Sequence, residues 1–447
     1  MRLSLVAAWA APALPLTFAV ALLSTYYVKF GADVLGVAPG ALGVLFGLSR
    51  VWEGLVSPWI GFFSDRTRSG LGRRRSWMLA ASLPVALALV MVWAPPDGLS
   101  ERALLGWLGM GLFGVATAMP CIDVPRLALP AELSQRSLDR TRLFAANGVA
   151  SAVSGLLALT LGIGLLRTSS DPRRSAQLLA LVLAGVTLLC VAWPIARLRE
   201  PPENLGRGAR SPFGAWGQVL RNRHQQRVLI ARFLQELPMG AISVLAPFAF
   251  QYTFRRPELT EAYMLAFFVP HLVSVPIWVR TTRRFRKVDL WIASRAITAV
   301  AYGGLYAALQ HARAGSTNTV ELLIPPILLG IGMGCELVVP NAIGAEVIDH
   351  DELVSGERKE GVYTAVVVLV TKVASALGIA LSGLALQWAV LAPGGAPDGR
   401  MDVVMLWAMA IVPGLCVTAA ALPLLRFALT ETEHAGVMDE LAKRRGV

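Results

Sequence analysis

The chain has 447 residues, of which 55% are hydrophobic and 16% charged, with a mean hydropathy of +0.58 and a formal charge of +12. A soluble chain of this length carries nearer a quarter charged residues, so most of this surface is not built to meet water. The basic residues gather in alternate loops, which speaks for a bilayer and against a nucleic-acid partner.

Apolar runs of about the ~20 residues needed to cross a membrane recur down the chain. They fall near residues 5–30, 40–64, 76–95, 103–128, 143–166, 175–197, 228–253, 259–281, 289–310, 319–345, 361–389 and 402–426. The first opens on Met1-Arg2 like a signal peptide, but it continues through Tyr26 and Tyr27 toward Lys29, too long for one, and reads as an uncleaved helix. Arg66, Arg68, Arg73, Arg74 and Arg75 follow the second span, and Arg136, Arg140 and Arg142 follow the fourth. Arg207, Arg210, Arg221, Arg223 and Arg227 lie between the sixth and seventh, and Arg283, Arg284, Arg286 and Lys287 follow the eighth. Arg173, Arg174, Arg255 and Arg256 are exceptions to the alternation. The positive-inside rule then puts both termini in the cytoplasm, in what is expected to be a bacterial inner (plasma) membrane.

Cys121, Cys190, Cys335 and Cys416 fall inside spans without metal-ligand spacing, so they read as small buried hydrophobes. No Gly-x-Ser-x-Gly elbow, His-Glu-x-x-His helix or P-loop occurs, and the loops are too short for a catalytic domain. No enzyme activity, cofactor or metal is expected.

The longest polar connection, with Pro201, Pro202, Gly206, Gly208 and Pro212, divides the spans evenly. The expected layout is a six-helix bundle over 1–198, a cytoplasmic linker at 199–226, a second bundle over 227–430 and a cytoplasmic tail at 431–447. An internal repeat supports the division. Val124-Pro125 followed by Ala131-Glu132-Leu133 is answered by Val339-Pro340 and Ala345-Glu346-Val347, and Val149–Ala152 by Val373–Ala376. The fold expected is all-α: twelve transmembrane helices in two pseudo-symmetric six-helix bundles, an architecture in which carriers hold their substrate near the midplane.

Three segments carry a resemblance. The first is Arg50-Val51-Trp52-Glu53-Gly54, Ser57-Pro58, Gly61, Ser64–Ser69 and Gly72–Arg75. The second is Asp123-Val124-Pro125, Ala128-Leu129, Glu132-Leu133-Ser134 and Asp139-Arg140-Thr141. The third is Pro340-Asn341-Ala342, Ala345-Glu346, Asp349–Glu352, Gly356, Arg358, Glu360-Gly361 and Lys372. Together these resemble the glycoside-pentoside-hexuronide:cation symporters of the major facilitator superfamily, whose best-known members are the melibiose carriers. The resemblance implies the major facilitator fold, alternating access, a coupling cation, a sugar-like solute and a monomer.

Each ionisable side chain inside a span costs roughly 2.5–3.5 kcal/mol to insert and is a functional candidate. Arg50, Glu53 and Ser57 share one helix face at i, i+3 and i+7. Asp123 and Asn147 lie on the fourth and fifth spans, Arg232 and Glu236 on the seventh, His271 on the eighth, Glu336 on the tenth and Lys372 on the eleventh. By resemblance, Glu53 and Asp123 with Ser57 form the cation-coupling group, and Lys372 stands beside it. Lys372, Arg50, Trp52, Asn147, Tyr26, Glu236 and Glu336 make up the candidate substrate group. The alternative for the same residues is a static charge network, with Arg50 neutralising Glu53 and Lys372 neutralising Asp123. Arg232 and Glu236, one turn apart, are expected to satisfy each other, and His271 to be a hydrogen-bonded core residue. Asp65, Arg66, Arg73, Arg74, Glu132, Arg140, Asp349 and Arg358 are the candidate cytoplasmic gating residues, read as latches that hold one face closed.

The sequence also departs from the family. The second acid of helix 2 is replaced by Ser57, a helix 4 threonine by Pro120, and the helix 5 arginine by Gly148. No acid lies in the first span. Sodium prefers several hard oxygen ligands, whereas a carboxylate can carry a proton without such a cage, so H+ is favoured over Na+ as the coupling ion. With fewer groups to replace the water of a sugar ring, an uncoupled facilitator or a carrier of lipids or amphiphiles is the alternative.

Overall fold

A computed structural model describes residues 3–130, 137–198, 216–316, 318–356, 360–389 and 399–427, with short pieces of the C-terminal tail. Helices account for all the regular structure among these residues. Eleven helices are long and apolar enough to cross a membrane. A further helix, Pro39–Arg66, has 28 residues but carries Arg50, Glu53, Asp65 and Arg66 and is not among those eleven.

In chain order the spans are α1 (Leu3–Asp33), α2 (Pro39–Arg66), α3 (Arg73–Trp93), α4 (Glu101–Ala128), α5 (Ser137–Leu157, continuing to Thr168) and α6 (Pro172–Arg197). They continue as α7 (Arg223–Thr253), α8 (Thr260–Thr281), α9 (Lys287–Arg313), α10 (Thr319–Ser355), α11 (Glu360–Ala389) and α12 (Gly399–Leu425). Several starts have a visible cause. Ser100 accepts the Ala103 N–H, Asp171 the Arg174 N–H, and Asn222 the N–H groups of His224 and Gln225, so orphan donors at three helix starts are met by side chains. α10 ends on Gly356 at φ 74°, a left-handed position that suits glycine.

The chain forms two compact units. One comprises Met1–Pro212 with Ile379–Gln387 and Ala392–Gly395; the other comprises Phe213–Gly378 with Trp388–Leu391 and Ala396–Val447. The core of the first unit includes an aromatic set in which Phe30 and Tyr27 meet Trp93 at 5.3 and 6.5 Å between ring centroids, and Tyr27 meets Phe46 at 5.6 Å. In the second, Val228, Trp291, Val339 and Ile343 belong to one buried cluster.

Small residues let the helices of the second unit touch backbone to backbone. A Cβ on Gly378 would lie 2.0 Å from the Leu237 carbonyl, and one on Gly240 2.3 Å from the Ser375 carbonyl, so α7 and α11 cross in direct contact. α8 and α10 meet in the same way, since a Cβ on Gly330 would lie 2.2 Å from the Phe267 carbonyl.

α10 runs well past the end expected for it, and it is interrupted. The α-helix stops at Gly334, a 3-10 turn spans Cys335–Leu337, and the helix resumes at Val339. Pro340 has no N–H to give the Glu336 carbonyl four residues earlier, which accounts for the break. Glu336 therefore sits on the interruption.

Candidate functional site

In the first unit the intramembrane charges form two arginine-centred groups. On α2, Arg50 donates to Glu53 at 2.8 Å and to the Ser24 hydroxyl of α1 at 3.0 Å, with Phe46 beneath its guanidinium at 4.9 Å. Ser57, one turn on, donates to the Glu53 backbone carbonyl at 2.6 Å. The indole of Trp52 donates to Thr117 of α4 at 2.9 Å.

The second group centres on Arg126 of α4, whose side chain is 3% exposed. It reaches Asp123 at 2.7 Å, Asn147 of α5 at 2.8 Å and the Trp9 carbonyl of α1 at 3.3 Å. Trp9 returns a hydrogen bond to the Arg126 carbonyl at 2.9 Å. One guanidinium thus ties three helices. Trp52 faces Thr117, and Gly61 faces Val124, across the α2–α4 contact. Asp123 is therefore level with the stretch just before Gly61, roughly 10 Å along the axis from Glu53 at ~1.5 Å per residue. The two acids expected to share one cation group lie at different depths, each beside its own arginine.

The second unit holds a buried network that is not apparent from the sequence. Arg295 of α9, with a side chain 2% exposed, bonds both Gln235 of α7 and Glu336 at the α10 break. Trp291 donates to the same Glu336 oxygen at 2.5 Å. Glu236 does not pair with Arg232 as its spacing suggests. Arg232 turns instead to Asn341 of α10 at 2.6 Å, because the resumed helix presents that amide across the α7–α10 contact. His271 also departs from expectation: its Nδ1 is buried with no hydrogen-bond partner among the described residues, and its ring rests against Phe267 at 5.6 Å.

A cavity of about 510 Å³ opens beside this network, lined by Gln225, Arg232, Asn341, Asp349, Tyr363 and Thr371 among others. Two of its donors, Gln225 Nε2 and Arg232 Nε, are buried without partners among the described residues. Gln225 itself is 1% exposed. The polar side chains among the lining residues suit an oxygen-bearing guest.

Tyr26 is buried in α1, and Lys372 is half-buried on α11, where its charge acts on Glu236. Of the gating candidates, Arg73 and Arg74 are buried at the start of α3, and Arg66 stacks on Phe62 at 3.7 Å. The loop between α2 and α3 is closed by a Trp77–Thr67 hydrogen bond of 2.7 Å and turns through Gly72 at φ 106°. Glu132 and Arg358 lie outside the described residues, as do residues 199–215 of the linker, most of the tail, and the side chains of Asp65 and Arg140. Sequence reasoning missed Lys287, which pairs with the buried Glu346, as well as Arg126 and Arg295. An arginine inside each apolar span was the available signal for the last two.

The comparisons agree with this architecture. The model of the family described as MFS/sugar transport protein matches residues 8–431. An uncharacterized symporter of Synechocystis is 23% identical, with 94% of this chain and 93% of that protein covered. The glucuronide carrier protein homolog of Escherichia coli is 21% identical, over 96% and 93%. A sodium-dependent lysophosphatidylcholine symporter of Danio rerio is 22% identical, over 89% and 80%. Among solved structures, a D-xylose-proton symporter superposes with a TM-score of 0.67 at 15% identity, over 97% and 99% of the two chains. With helices that match a major facilitator structure along their whole length and a family match that covers nearly the entire chain, this protein belongs to the MFS/sugar transport family and, within it, groups with the glycoside-pentoside-hexuronide:cation symporters; it is a membrane transporter and not an enzyme.

Proposed function

We propose that this transporter is a cation-coupled symporter of a small, oxygen-rich organic solute such as a glycoside, with H+ as the coupling ion and both termini in the cytoplasm. The observation that carries the coupling is the Arg50–Glu53 pair at 2.8 Å on an intramembrane helix. A proton delivered to the Glu53 carboxylate abolishes the pair and frees Arg50, changing what α2 offers to α1 through Ser24. Asp123 and Arg126 form a second pair of the same kind. Sodium would have to displace both arginines. The cavity lined by Gln225, Arg232, Asn341, Asp349 and Tyr363 is the solute site of the second unit in this reading, and the family description and the name of the glucuronide carrier relative support a sugar-like guest.

One observation favours a second reading, an amphiphile or lipid carrier. Gly40, Ala41, Val44, Leu45, Leu48, Leu105 and Leu384, with Gln387, line an almost wholly aliphatic cavity of about 440 Å³ in the first unit. A relative named for lysophosphatidylcholine transport points the same way.

Reconstitution in proteoliposomes, with labelled sugars, glycosides and lysolipids and with or without an imposed pH gradient, separates the two. Symport predicts gradient-driven accumulation of a glycoside, reduced at least tenfold by Glu53→Gln and by Asp123→Asn. Equilibration that ignores the gradient and survives both substitutions, or accumulation driven by sodium at fixed pH, would overturn the proton reading.

A further inference from the structure

Glu236 follows Gln235, which shares Arg295 with Glu336 at the α10 interruption, so the two acids lie in one region of the second unit, and the fold provides for them unequally. Glu336 is bonded by the Arg295 guanidinium and by the Trp291 indole N–H at 2.5 Å. Glu236, half-buried on α7, makes no hydrogen bond and no ion pair among the described residues. Charges nonetheless act on it from several packed elements: Glu336 from α10, Arg295 from α9, Lys372 from α11, and Arg232 one turn away on α7 itself. The charge of Glu336 acts in turn on His271 of α8. Two of the cations are engaged elsewhere, Arg295 with Gln235 and Glu336, and Arg232 with Asn341.

A half-buried carboxylate on a membrane span with no donor from the protein contrasts with its neighbour Glu336, one oxygen of which takes two. A purely structural acid would have been paired, as Glu336 and Glu346 are. The discontinuous helix beside it is also the kind of element around which carriers build ion sites, since its ends turn and repack at little cost.

We propose that Glu236 is a proton-binding site of the second unit, loaded while Glu336 holds Arg295 and discharged when Lys372 or Arg232 turns toward it. The proton adds to a Glu236 oxygen from water and returns to water, with no other bond formed or broken. This deepens the coupled-transport reading and rests on it only for what the proton drives. It places a titrating group in the second unit, apart from Glu53 and Asp123.

The test is infrared difference spectroscopy of the full chain in lipid nanodiscs, titrated across neutral pH in light and heavy water, with the proton itself as probe. Beside any bands of Glu53 and Asp123, the wild type is expected to show one carbonyl stretch of a protonated carboxyl group that is lost in Glu236→Gln, kept in the exposed-loop variant Glu258→Gln and in Glu53→Gln and Asp123→Asn, and shifted in Glu236→Asp. A spectrum in which no protonated-carboxyl band is lost in Glu236→Gln, or none appears in a wild type that is folded by its thermal transition, overturns the proposal. The same variants in the proteoliposome assay separate this site from the wider reading. If labelled glycoside still accumulates under the pH gradient in Glu236→Gln as in the wild type, symport stands and the role of Glu236 falls. If the wild type ignores the gradient while the band behaves as expected, Glu236 binds a proton and the symport reading falls.

Discussion

Arg295 illustrates how a charge is kept in this membrane protein. Its guanidinium is spent on Gln235 and Glu336, which lie on two other helices and far away in sequence. Removing one partner of a buried pair costs about 3–5 kcal/mol, because the other charge stays buried alone. Arg295→Ala is therefore expected to lower the thermal transition in detergent sharply, while Arg295→Met with Glu336→Gln recovers most of the loss. Equal losses in the single and double variants would show that the two charges are not coupled. Such pairs are hard to read from a sequence. Arg50, Glu53 and Ser57 were legible because they share one helix face at fixed spacing, and Arg126–Asp123 was within reach for the same reason. Arg295–Glu336 joins α9 to α10, and no periodicity within either helix announces it. The spacing of Arg232 and Glu236 misled, since spacing permits a pair but cannot see Asn341 arriving from α10.

At the scale of elements the sequence was more generous. Apolar runs bounded by Gly, Pro and Arg gave nearly every helix within a few residues, because the bilayer imposes both length and composition on a span. Hydropathy does not report the crossings. Gly378 is one of 41 glycines, and only the fold distinguishes it, with space for a hydrogen and nothing more beside the Leu237 carbonyl. Even alanine there forces α7 and α11 apart. Gly378→Ala is expected to cost about 1–3 kcal/mol, read as a lower thermal transition, with Gly303→Ala as the comparison, where a Cβ meets nothing within 4 Å. If both variants melt alike, the α7–α11 contact is less strict than the geometry requires. The α10 interruption was legible only in hindsight, since Pro340 marks a break without saying that an acid sits on it.

At the scale of the whole molecule, composition identified a polytopic carrier, and three motif segments narrowed it to a family. The substrate was not legible, because specificity rests on groups brought together from several helices, such as Gln225, Asn341 and Tyr363 around one cavity. The coupling ion was not legible either, because both acids that match the family pattern are engaged by arginines: Glu53 by Arg50 of its own motif, and Asp123 by Arg126, which the motifs do not pair with it.

The composition of α2 bears on how the protein reaches the membrane at all. Among the described residues it is the long helix that falls short of the apolarity of the other eleven, and it carries Arg50 and Glu53. A segment of this kind gains little by partitioning into lipid alone, so its entry during synthesis depends on company. The neutralising Arg50–Glu53 contact and the Ser24 hydroxyl of α1 lower the cost of that entry. Fused alone to a glycosylation reporter in microsomes, residues 39–66 are expected to insert poorly, and to insert well when preceded by residues 1–38; efficient insertion of the isolated segment would refute this. The charges proposed to move a solute would then also fix the order of biogenesis: the first helix waits at the translocon for the second, and the two enter the bilayer as a pair.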